Sequence, residues 1–186
     1  MYLRSRRVPA TCAVILVSTA AVWAFGRWGA DPPVTARLVV VGLALGISAA
    51  AVGLGGADAA LDRTAALRWP AWRAGHVVAL AAAVGGALVA AQAIGEPLVP
   101  NLVIVRNCAG FAGLAAFGAA FFGAARAWWF PMGWALPTAL PLPQDTAVMQ
   151  ALTWPMAETG TAAATFTATA LAVLGTLTYA IRGYRA

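Results

Sequence analysis

Asp58-Ala59-Ala60-Leu61-Asp62-Arg63-Thr64-Ala65-Ala66-Leu67-Arg68-Trp69-Pro70-Ala71-Trp72-Arg73-Ala74-Gly75-His76 is the one long charged interruption in an otherwise apolar chain. Leu38 to Gly55 precedes it and Val77 to Ile94 follows it, both apolar and of bilayer-crossing length. A charged piece between two such runs reads as a short loop at a membrane surface. Asp58 suits a helix start, where its side chain can accept from orphan N–H groups. Leu61, Ala65 and Trp72 recur at helical spacing, and Pro70 limits the helix. The expectation is a short amphipathic helix over 58–70 on the cytoplasmic face, with Trp69 and Trp72 at headgroup level.

Composition points the same way. Of 186 residues, 62% are hydrophobic and 10% charged, whereas a soluble domain is about 25% charged. Roughly 20 consecutive apolar residues cross a bilayer, and several such runs occur. A helix satisfies its own backbone hydrogen bonds in lipid. The Ala/Val/Leu/Gly blocks lack the alternation of a transmembrane β-barrel. The fold class is therefore all-α, a polytopic bundle in one transmembrane domain over 1–186. The lipid bilayer is its solvent and the cell (plasma) membrane its place.

The net charge is +6 and every basic residue is arginine. The arginines sit at the ends of apolar runs, where they orient helices. No clustered basic face marks a nucleic-acid partner. Arg4, Arg6 and Arg7 precede the run from Thr11 to Phe25. A basic start and an apolar stretch also describe a signal peptide, but the apolar runs that follow leave little soluble chain to export. Asp31-Pro32-Pro33 reads as a rigid turn. The expected spans are 11–26, 37–55, 76–94, 107–125, 128–142 and 160–181. Pro131, Pro137, Pro141 and Pro143 make the fifth short, kinked or broken. The apolar patch Ala147 to Trp154 is placed as a re-entrant piece in the outer segment. Basic residues at both chain ends, in the 58–76 loop and at Arg126 require an even count, hence six spans with both termini cytoplasmic.

Gly42 and Gly46 form a GxxxG pair suited to close helix packing, with a neighbour or a second subunit. Cys12 and Cys108 fall at opposite membrane faces, which rules out a disulfide between them. His76 is an interfacial residue at the foot of the third span. It has no second histidine to help hold a metal. Every Asp, Glu and Arg can be placed at or near a span end, so no charge is stranded in mid-bilayer. Gly53 to Gly56 lacks the Lys and Ser/Thr of a phosphate loop. No G-x-S-x-G nucleophile motif occurs. Asp58 and Asp62 share a helix face, with Arg63 beside them as an ion-pair partner. The chain is therefore not read as an enzyme, and no cofactor, metal ligand or catalytic residue is assigned.

Six spans, two cytoplasmic termini, a charged helix between spans two and three and a broken outer segment between spans five and six resemble the permease subunits of ABC-type exporters. The segment Arg106-Asn107-Cys108-Ala109-Gly110, running on to Trp134, is similar to small actinobacterial membrane proteins of permease type. The resemblance implies a transporter subunit, working as a homo- or hetero-dimer with a separate ATP-binding subunit. Carried over, Asp62, Arg63, Arg68 and Arg73 face that ATPase, and Leu67 and Trp69 supply apolar contact. The chain departs from that family in its short loops and in lacking a long amphipathic N-terminal helix. The alternative function is a non-transporting membrane scaffold or assembly factor, which small-residue helix faces serve equally well.

Overall fold

The computed structural model describes residues 8–28, 31–55 and 69–184. Seven α-helices run through them: α1 Val8–Arg27, α2 Pro32–Ala51, α3 Trp69–Gln92, α4 Asn101–Phe122, α5 Trp129–Thr138, α6 Ala147–Leu152 and α7 Ala162–Arg182. Short 3-10 turns extend α2 over Val52–Leu54, join α4 to α5 over Ala124–Arg126 and follow α6 over Trp154–Met156. The described residues contain no strand. Four helical stretches are long and apolar enough to cross a bilayer: Pro32–Leu54, Pro70–Gln92, Asn101–Phe122 and Ala162–Arg182. α1 contributes a shorter apolar stretch, Thr11–Arg27.

α2 and α4 begin earlier than expected, and proline is the reason. Proline lacks an N–H, which the first turn of a helix does not need. Pro32 and Pro33 open α2, and the Asp31 carbonyl accepts from the N–H groups of Val34 and Thr35, both at 2.9 Å. Pro100 caps α4, which therefore starts at Asn101 rather than 107 and takes Arg106 and Asn107 into the helix. The fifth expected span, 128–142, is corrected to a ten-residue helix, Trp129–Thr138. At 1.5 Å per residue that is about 15 Å, half of a hydrocarbon core. Pro141 and Pro143 cannot donate to a continuing helix, and the chain leaves α5 extended.

α4 is the centre of the bundle, packed against α2, α3, α5 and α7. Its buried residues run around the whole circumference, from Ile104 through Phe111, Ala112, Ala115 and Ala116 to Ala119. A helix apolar all round suits such a place. The GxxxG pair of α2 serves neighbours within the chain. Val22 of α1 lies on Gly42, and Val84 of α3 lies 2.9 Å from where a Gly46 side chain would begin.

The order of contacts sets helix direction. Gly26 meets Thr35, and Gly46 meets Ser18, so α1 and α2 are antiparallel. Gly85 meets Cys108, while Gln92 hydrogen-bonds Asn101, so α3 and α4 are antiparallel. α4 and α7 are parallel: Arg106 reaches Glu158, Gly113 meets Leu171 and Gly175, and Phe121 lies under Arg182. The chain must therefore return across the bundle between Gly123 and Thr161.

These contacts sort the chain into two faces. One carries Asp31, Glu96 and Glu158 beside Arg27, Arg37 and Arg106; it is called the acidic face below. The other carries Arg73, Arg126 and Arg182, with no carboxylate among the described residues there. Trp72, Trp128 and Trp129, all exposed, lie toward this arginine face.

Candidate functional site

The return path between α4 and α7 is the least regular part of the fold. Gly123, at φ +88° and ψ 154°, ends α4 in a conformation closed to other residues. The 3-10 turn and α5 then climb halfway along the bundle. Thr138 folds its hydroxyl back onto the Trp134 and Ala135 carbonyls at the end of α5, at 3.1 and 3.0 Å. An extended stretch follows. Thr146 caps α6 by accepting from the Met149 N–H at 3.2 Å. α6 packs along α7, and the 3-10 turn after it dips in among α2, α4, α5 and α7.

Backbone outside a regular helix leaves carbonyls without partners. In hydrocarbon each must be satisfied by protein. Here side chains perform that task in sequence. Trp134 Nε1 donates to the Leu152 carbonyl at 2.9 Å. Asn107 Nδ2, fully buried, donates to the Pro155 carbonyl at 2.8 Å. Arg106 donates through Nη2 to Ala157 at 2.5 Å and through Nη1 to Glu158 at 3.1 Å. Its Nε reaches Asn107 Oδ1 at 3.4 Å, so the two side chains act as one clamp. Arg106 lies about 7 Å below the start of α4. It is thus inside the helix rather than at its end, and the dipping segment is what makes that placement tolerable.

Trp154 anchors the dip. It is fully buried, with its ring 5.0 Å from that of Phe111 and seated on Gly110, where a side chain would collide with it. Of the Ala147 to Trp154 patch, Thr153 and Trp154 are buried, while α6 leaves Val148 and Leu152 exposed. The role of Asn107 and Arg106 was missed. The only local sign was an Arg-Asn pair inside an apolar run; the carbonyls it serves lie some fifty residues on.

The expected docking residues fall elsewhere. Asp62, Arg63, Leu67 and Arg68, with the 58–68 part of the amphipathic helix, lie outside the described residues. Trp69 is the first residue of α3. Arg73 turns toward the C-terminus of α7, where Nη1 donates to the Ala180 carbonyl at 3.4 Å and the guanidinium packs on Gly183. A cation at the carbonyl end of a helix meets the negative end of its dipole, so at least part of Arg73 serves the bundle itself. Tyr179 ties the same corner together, donating to the Leu54 carbonyl at 2.6 Å. His76, exposed, borders an open pocket with Ala71, Trp72, Gly75 and Ala79. Among the described residues no group of His, Cys, Asp or Glu could hold a metal ion. Cys12 and Cys108 are both free thiols.

No protein-family model matches the chain, and comparison with curated proteins and with solved structures gives no match either.

Proposed function

We propose that this chain is the membrane subunit of a transporter, an ABC-type export permease with six crossings of the plasma membrane and both termini cytoplasmic. The observation that carries the reading is the broken crossing between the parallel helices α4 and α7. Irregular backbone held at membrane depth by buried side chains is a common feature of transport pathways, because half-helix ends and free carbonyls can meet a solute there. The arginine face becomes cytoplasmic by the bias of such residues toward that side. The separate ATPase docks on the 58–76 loop through Asp62, Arg63, Leu67, Arg68 and Trp69, with Trp72 exposed beside them. The buried polar side chains described are Ser18, Thr35, Ser48, Gln92, Asn107, Thr138 and Thr153, none of them charged. A solute route then runs between two subunits rather than through one, which fits a dimer.

The absence of a charged side chain among the buried polar residues described favours the second reading, a non-transporting scaffold. Mild-detergent purification separates the two. The permease reading expects an ATPase to copurify, and to be lost from the double variant Arg68→Glu, Trp69→Glu. A stable partner of another kind, with no flux in vesicles, would favour the scaffold.

Orientation has its own test. In a background with Cys12 and Cys108 replaced by alanine, Thr159→Cys should react with an impermeant maleimide in intact cells. Ala125→Cys, on the arginine face, should react only after permeabilisation. The reverse pattern would invert the layout and remove the 58–76 loop from the cytoplasm.

A further inference from the structure

Arg106 holds more charge than its contacts use. A guanidinium has five N–H donors. Three are spent, on Asn107 Oδ1 and on the carbonyls of Ala157 and Glu158. Glu158 offers its carbonyl, not its carboxylate, and no ion pair neutralises Arg106 among the described residues. Two donors and a full positive charge therefore remain, in a half-buried side chain.

Arg106 lines a groove of about 320 Å³ between α4 and α7, together with Leu102, Val105, Ala109, Thr165 and Thr169. The segment leading into α7 borders the same groove through Thr159 and Gly160. Its N-cap residue, Thr161, makes no side-chain capping bond. The helix begins four residues past the Glu158 carbonyl that Arg106 holds, and its first-turn N–H groups carry a partial positive charge. The other wall is apolar and turned outward: Leu102 is 73% and Val105 60% exposed. Such a surface belongs against acyl chains.

We propose that this groove binds an anionic phospholipid from the leaflet on the acidic face, with its phosphate on Arg106 and the α7 N-terminus and a chain along Leu102 and Val105. Arginine and phosphate match as a planar donor fork to a tetrahedral acceptor. A free phosphate would satisfy the charge but leave the apolar wall unused, whereas a lipid uses both. The inference requires membrane insertion and is independent of transport.

Native mass spectrometry of the full chain, released from mixed micelles containing equal phosphatidylglycerol and phosphatidylcholine, tests it. Retention of phosphatidylglycerol should exceed that of phosphatidylcholine by about tenfold, the effect of roughly one charge-assisted hydrogen bond. Arg106→Gln should erase the preference. Thr169→Trp, an exposed position, fills the groove while leaving the guanidinium in place, and should lower bound phosphatidylglycerol to the level of phosphatidylcholine. If Arg106→Gln aggregates, Thr169→Trp decides alone. Equal retention of the two lipids by the unaltered chain overturns the proposal, as does a preference that survives Thr169→Trp. Displacement of the lipid by millimolar inorganic phosphate would mark a site for free anions and equally overturn it. None of these readouts involves flux or an ATPase, so a failed permease reading leaves the result intact.

Discussion

Gly113→Leu is expected to give a chain that enters the membrane but does not keep its helices together. α4 and α7 approach at backbone distance: the first atom of a side chain on Gly113 would run into the Leu171 carbonyl and the Ala172 backbone. The reverse holds at Gly175, where a side chain would strike the Gly113 carbonyl. Neither obstacle is a rotatable side chain, so the helices must move apart. Lipid supplies little hydrophobic drive to re-pack them, since acyl chains are as apolar as leucine, and association rests on close contact. The loss should reach the upper range of overpacking, about 3 kcal/mol or more. Gly175→Leu should do the same. The double variant should cost clearly less than the sum, because one separation of the helices relieves both clashes. Size-exclusion profiles and thermal melts in detergent measure this. A Gly113→Leu protein that elutes as a sharp peak and melts within a few degrees of the parent would show that the α4–α7 seam is not where the bundle is held.

Trp154→Ala is expected to be nearly as severe and to act through a different link. Trp154 is the largest fully buried side chain described, set between Gly110, Phe111 and the returning chain. Its removal leaves a cavity beside an arginine and an asparagine that hold neighbouring carbonyls. The packing loss alone should cost about 3 to 5 kcal/mol. The consequence goes further than stability. Once the anchor is gone, Pro155, Ala157 and Glu158 can draw away from Asn107 and Arg106, leaving a buried amide and a cation without partners. Protease sensitivity at the 153–161 segment should rise sharply, while the α1–α2–α3 side stays protected. Trp154→Phe, which keeps the ring contact with Phe111, should recover most of the loss. Its indole N–H has no hydrogen-bond partner, so removing that group costs nothing in hydrogen bonding. Uniform protection in Trp154→Ala would mean that the return path is held from elsewhere.

Much of the bundle was legible in the chain because lipid imposes one-dimensional rules. Four helices of span length fall where runs of Ala, Val, Leu and Gly occur. Their ends were less legible, and proline explains the misses. Pro32 and Pro100 read as interruptions, yet each stands where a helix begins and no donor is needed. Arg106 shows the limit most clearly. Charge at a span end was the natural assignment, because an isolated arginine at depth is costly. Its partners are backbone carbonyls some fifty residues away, and no local pattern announces them. The contact of Arg73 with the end of α7 is hidden in the same way, since it spans 107 positions of sequence.

Composition and the lengths of the apolar runs determined the helical class and the four helices apolar enough to cross a bilayer, since each follows from the transfer of single residues or single helices out of water. Tertiary structure decided that α4 lies at the centre, that α7 runs parallel to it, and that the chain returns between them as half a helix and a dipping loop. Those choices depend on pairs of distant residues, glycine against carbonyl and guanidinium against carbonyl, whose energies exist only once the two segments have met.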